Sequence, residues 1–292
     1  MKTLENANPI VTFMYFLCVF SCVMFSIDPF ISAISLVCSL VFAISKKYLT
    51  NKRENIFYII LFVFMTVLNP LFNHRGNTVF FYINGNAITL EALLYGLSTA
   101  TMIMSVIIWF KCFGKIMTED KIIYVFGRVW PGFALMFSSI VRFVSLYTKQ
   151  WRIISDSRKA MGENETGNVI SNIENGISTF MIMITWALEH GSLTAESMDS
   201  RGYNTGRRTS YSKYFFHLSD GLVIALYLAF ALFIILMCII NGINFSFYPD
   251  MVMNGNIYYR ITVYSAFFLL TLLPTILEIG DNAKWHRLTL KI

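Results

Sequence analysis

Apolar residues along this chain gather into runs separated by short polar breaks. The first run covers residues 10–27, stops at Asp28-Pro29 and resumes at once over 30–45. Proline cannot continue a helical hydrogen-bond ladder and aspartate favours water, so the pattern predicts a helical hairpin turning at Asp28-Pro29. Further runs follow over 56–72, 88–113, 222–240 and 261–279. Most approach the roughly 20 residues needed to cross a bilayer. The expectation is an all-α integral membrane protein with about six transmembrane helices. About four of them fall in an N-terminal membrane domain, 1–114, and two in a C-terminal membrane hairpin, 214–292.

Residues 115–213 follow a different pattern. After Pro131, the apolar residues Phe133, Phe137, Ile140, Val144, Tyr147, Trp151 and Ile154 recur at fours and threes, one face of a long helix. Arg142, Lys149, Arg152 and Asp156 fall off that stripe. A second stripe runs through Ile170, Ile173, Ile177, Phe180, Ile184 and Ala187. Two such helices are expected to pack stripe against stripe. They form either a further membrane hairpin or a cytoplasmic or interfacial pair. The basic flanks favour the second reading, because Arg142, Lys149 and Arg152 are costly in lipid.

Composition strengthens the membrane reading. The 292 residues are 56% hydrophobic and only 14% charged, against about 25% charged in a soluble domain. That balance excludes a secreted disulfide scaffold and argues against a self-contained soluble enzyme. The net charge of +6 needs no nucleic acid to explain it. Lys46, Lys47, Lys52 and Arg53 follow the second run, and basic residues stay cytoplasmic. Counting spans from that anchor puts both termini in the cytoplasm, with Lys284, Arg287 and Lys291 on the same side. The outer loops then carry only Arg75 and Arg260.

Candidate chemistry is sparse. The five cysteines, Cys18, Cys22, Cys38, Cys112 and Cys238, lie in or beside apolar runs without ligand spacing, and read as small buried hydrophobes. His74, His190, His217 and His286 are scattered. No G-x-x-x-x-G-K-[ST] loop occurs, so any ATP chemistry belongs to partners. Gly96 and Ala100 form a small-xxx-small pair that admits close approach of another helix, and Glu91 sits where it complements a helix dipole.

Both long helices of the middle region close alike. The first ends on Ser157-Arg158-Lys159-Ala160-Met161-Gly162, the second on Met198-Asp199-Ser200-Arg201-Gly202-Tyr203. Glycine just past a helix suits a left-handed cap, and a cation in the last turn complements the dipole. The repetition points beyond capping, to two tips built as knobs for grooves on another protein.

These tips belong to a wider likeness. Asn69-Pro70-Leu71-Phe72-Asn73-His74-Arg75-Gly76, Ile88-Thr89-Leu90-Glu91 and Tyr95-Gly96 resemble the N-terminal half of the transmembrane T component of energy-coupling factor (ECF) transporters. Asp120-Lys121, Tyr124-Val125-Phe126-Gly127-Arg128, Arg142-Phe143, Thr185-Trp186-Ala187-Leu188-Glu189, Ser197 to Tyr203 and Gly206-Arg207-Arg208-Thr209 continue it in order. The resemblance implies that residues 115–213 are a cytoplasmic coupling domain, whose two helix tips dock on ATPases through Ala-Arg-Gly signatures. The second signature carries over as Ser200-Arg201-Gly202. The first is Ala160-Met161-Gly162, without the arginine, and Arg158 or Lys159 then stands as the substitute cation.

The implied partners are two P-loop ATPase subunits, a small membrane-embedded substrate-binding subunit and the lipid bilayer of a prokaryotic cell membrane, with no nucleic acid, metal or cofactor. The implied role is energy coupling in the uptake of a vitamin or transition-metal ion, without catalysis by this chain. The alternatives are a stand-alone secondary transporter, for which no inverted repeat is visible, and an intramembrane enzyme, for which no convergent nucleophile and base are visible.

Overall fold

The computed structural model describes residues 7–26, 28–73, 76–83, 86–162, 169–203, 205, 214, 216–240, 245–248, 251–253 and 255–289. Nine helices occur among them. They are α1 (Pro9–Phe25), α2 (Pro29–Ser45), α3 (Lys52–Phe72), α4 (Leu90–Ile116), α5 (Glu119–Val129), α6 (Pro131–Ala160), α7 (Val169–Ser200), α8 (Leu218–Ile240) and α9 (Ile257–Thr289). Four are long and apolar enough to cross a membrane: α3, α4, α8 and the stretch Ile257–Ile276 of α9. The helices α1 and α2 are apolar but have 17 residues each. At 1.5 Å per residue each is about 26 Å long, just under the roughly 30 Å of a hydrocarbon core. Contacts divide the chain into two compact units, Met1–Ile122 with Tyr214–Ile292, and Ile123–Lys213.

In the first unit, α2 packs on α4 and α9, α4 also on α3, and α1 on α8. Prolines open both short helices. Pro9 follows Asn8, whose side-chain oxygen accepts from the Ile10 N–H at 3.1 Å, and Pro29 opens α2. The first turn of a helix has no use for an N–H there, so proline fits. The core is aromatic. Trp109 of α4 is fully buried, donates from Nε1 to Ser35 Oγ at 3.1 Å, and meets Tyr15 and Phe16 edge-on at 6.2 and 6.0 Å. Phe42, Phe267 and Leu270 complete this centre, where Cys18, Cys22, Cys38 and Cys112 are also buried. Gly96 lets α4 approach α3, since a Cβ there would stand 2.7 Å from the Thr66 carbonyl oxygen. By contrast α3 is exposed along most of its length. An apolar helix with an exposed surface is suited to lipid rather than water.

Several sequence expectations need correction. Asp28 does not turn toward water: it is 2% exposed and stands 3.9 Å from the guanidinium of Arg260. Arg260, expected in an outer loop, lies in the first turn of α9, 4% exposed, and also donates to Tyr264 Oη at 3.4 Å. The start of α2 and the opposite charge together make a carboxylate tenable there. Burial nevertheless holds the Asp28 carboxyl above its ordinary range. The run from residue 88 does not begin as a helix either. Val79–Ile83 and Asn86–Thr89 pair antiparallel as β1 and β2, and α4 starts only at Leu90. The β-formers Val79 to Ile83 followed by Asn84-Gly85 are a hairpin signal that the hydropathy pattern obscured. A second small pair, β3 (Phe245–Ser246) and β4 (Val252–Met253), precedes α9.

Candidate functional site

The second unit holds every candidate site residue. Its two long helices, α6 and α7, run antiparallel, and their contacts define the register. Phe143 meets His190 edge-on at 5.8 Å, and Tyr147 meets Trp186 at 5.6 Å. Further along, Arg158 Nη1 donates to the Asn175 carbonyl and to Thr179 Oγ1, both at 2.7 Å. Each pair of aromatic positions is spaced by four residues on its own helix, so both rings fall on one face. The inner face of α7 is thus Asn175, Thr179, Met183, Trp186 and His190.

This differs from the expected packing of two apolar stripes. Ile173, Ile177, Phe180 and Ile184 are all exposed, Ile177 to 59%, and so is Leu188 beside them, at 71%. On α6 the stripe residues Ile140, Val144 and Trp151 are exposed, whereas Ile154 is buried. The physical reason lies at Arg158. A guanidinium in the inner face requires acceptors, and the neighbouring turn of α7 supplies them from Asn175 and Thr179. The partner face is therefore polar and aromatic, and the isoleucine stripe turns outward.

Both helices end on a glycine in the left-handed region. In α7 the Gly202 N–H donates to the Asp199 carbonyl at 2.9 Å, and the Tyr203 N–H to the Met198 carbonyl at 3.0 Å. Gly202 has φ +76°. This pair of bonds is the Schellman stop, which needs a left-handed residue at the glycine position. In α6 the Gly162 N–H donates to the Lys159 carbonyl at 3.1 Å, and Gly162 has φ +94°. Ala160-Met161-Gly162 and Ser200-Arg201-Gly202 therefore occupy matching places, and all six residues are exposed.

The two tips stand at opposite ends of the pair. Asn175 lies level with Arg158, and from there to Ser200 the helix advances 25 residues (200 − 175), or roughly 38 Å at 1.5 Å per residue. Of the two proposed substitute cations, Arg158 is 7% exposed and engaged with α7, while Lys159 is exposed. The basic run Gly206-Arg207-Arg208-Thr209, the polar run 163–168 and His74-Arg75 lie outside the described residues.

Other residues of the quoted motifs have local roles. Glu91 accepts from the Thr78 N–H at 3.1 Å and Thr78 Oγ1 at 2.8 Å, tying the segment before β1 to the start of α4. Gly76 lies against it, where a Cβ would stand 2.5 Å from the Glu91 carboxylate. Lys121 Nζ donates to the Ile116 carbonyl at 3.0 Å and closes the end of α4. The sequence reading placed Tyr147 on the contact stripe but overlooked Phe143, Trp186 and His190 as its partners, although the i, i+4 aromatic spacing was visible.

Fold and site together define a helical protein of membrane character, carrying a separate unit of two long helices with matched, exposed tips. No known protein-family profile matches the chain, and no relative was found among curated proteins.

Proposed function

We propose that this chain is the transmembrane coupling subunit of an ECF-type importer. In this reading α1, α2, α3, α4, α8 and α9 are six spans in a prokaryotic cell membrane, both termini are cytoplasmic, and α6 and α7 are the coupling helices. Two P-loop ATPase subunits bind the tips. A small membrane-embedded subunit binds the substrate, a vitamin or a transition-metal ion. The observation that carries the reading is the pair of glycine-stopped, exposed helix ends on one antiparallel pair.

A rigid pair of this kind converts a change in spacing between two ATPases into movement of a single body. Arg201 offers a planar cation for carboxylates or helix-end carbonyls in a groove, and Lys159 is the cation of the other tip. Removing a desolvated arginine contact costs about 2–5 kcal/mol of binding. The test is a mild-detergent pull-down of tagged chain from its native membrane. Two P-loop ATPases and a small hydrophobic protein should co-purify, and Arg201→Glu should lose the ATPases while still inserting. Unchanged ATPase recovery with Arg201→Glu would sink the proposed contact.

A further inference from the structure

An open cavity of about 470 Å³ lies between α2, α3 and α4, lined among others by Leu40, Ile44, Asn55, Tyr58, Phe62 and Ile108. Its volume falls within the roughly 300–1,000 Å³ of ligand sites. The wall is apolar over most of its area and polar at one end. There Asn55 donates from Nδ2 to the Leu49 carbonyl at 3.0 Å, while Asn55 Oδ1 is buried without a hydrogen-bond partner. Asn55 is thereby held as part of the cavity's polar end by its bond to the chain just before α3.

The same end is basic. Lys52 lies one turn before Asn55 on the face that carries Ile59 and Phe62, and Lys47 donates its N–H to the Ile44 carbonyl at the end of α2. Both lysines are exposed. Lys111 is paired with Glu54 and stands 5.1 Å from the Tyr58 ring centre, so its charge is already matched. Ile44 and Ile59, at the margin, are exposed.

We propose that this cavity binds an anionic phospholipid. An acyl chain occupies the apolar wall, and the phosphate faces Lys47 and Lys52. A choline lipid carries the same phosphate but also a compensating cation, so the lysines gain less from it than from a lipid with net negative charge. Each surface cation is worth roughly a fivefold preference for an anionic lipid.

The experiment uses the full chain in a mild uncharged detergent, with retained lipid counted by native mass spectrometry. Dioleoyl-phosphatidylglycerol and dioleoyl-phosphatidylcholine are offered separately. The native chain should retain the glycerol lipid about 25-fold more readily, roughly fivefold for each of the two lysines. The doubly substituted Lys47→Gln, Lys52→Gln chain should lose that preference with an unaltered unfolding midpoint, and Leu40→Trp, which fills the cavity, should lose retention of both lipids. Equal retention of the two lipids by the native chain overturns the proposal. So does an unchanged preference in the double-lysine variant, or full retention by a folded Leu40→Trp chain.

Discussion

The two units solve the same packing problem in opposite ways. In the first, the centre between helices is apolar and dense, with Trp109, Tyr15, Phe16 and Phe42 fully buried. In the second, the surface shared by α6 and α7 holds a guanidinium, a backbone carbonyl, a hydroxyl and an imidazole, and Ile173, Ile177 and Ile184 of α7 point away. The difference teaches what each unit is for. A core that hides its apolar groups is complete in itself or in lipid. A helix pair that joins through polar contacts leaves Ile173, Ile177, Phe180 and Ile184 exposed as an apolar ridge.

Substitutions can break or sharpen this contrast. The largest effect belongs in the first unit. Trp109→Ala should cost about 3–5 kcal/mol in detergent unfolding, because the vacated volume forfeits packing that helices in lipid depend on. A loss below about 1 kcal/mol would show that the centre collapses around the gap.

Arg158→Met comes next. It removes two short hydrogen bonds and should cost about 2 kcal/mol. The cost should fall within the second unit, as faster amide exchange along 143–160 and 175–190, with the unfolding of the first unit unmoved. Exchange that is faster everywhere would mean that the two units share one cooperative transition.

Gly202→Ala should cost about 1 kcal/mol through its left-handed backbone and fray only the last turn of α7. The smallest effect is expected from Ile177→Ser, within about 0.5 kcal/mol, since an exposed isoleucine contributes little to the fold. A cost above 2 kcal/mol would place that residue in a buried contact and erase the contrast.

Much of the first unit was legible along the chain. Pro29 marked a helix start and Gly96 a close approach, because each depends on the local backbone and on one residue's size. The Asp28 and Arg260 pair was not legible, since 232 positions (260 − 28) separate the partners and either alone reads as a water-seeking loop residue. The β1–β2 pair was half legible: its β-formers and Asn84-Gly85 were present, but an apolar run of helical length overlapped it. At the tips, the glycines and their caps could be read from Ser200-Arg201-Gly202 and Ala160-Met161-Gly162, since a left-handed stop is a three-residue matter.

What the sequence by itself determined is therefore the helical class, the membrane character and the two helix stops. Apolar excess, proline and glycine act within a few residues of where they stand. Tertiary structure alone decided which face of α7 meets α6, and so that Arg158 is interior while Lys159 is exposed. Periodicity identifies an apolar stripe but not its partner. That choice goes with a buried guanidinium, whose need for acceptors is met on the polar and aromatic face of α7 rather than on its isoleucine stripe.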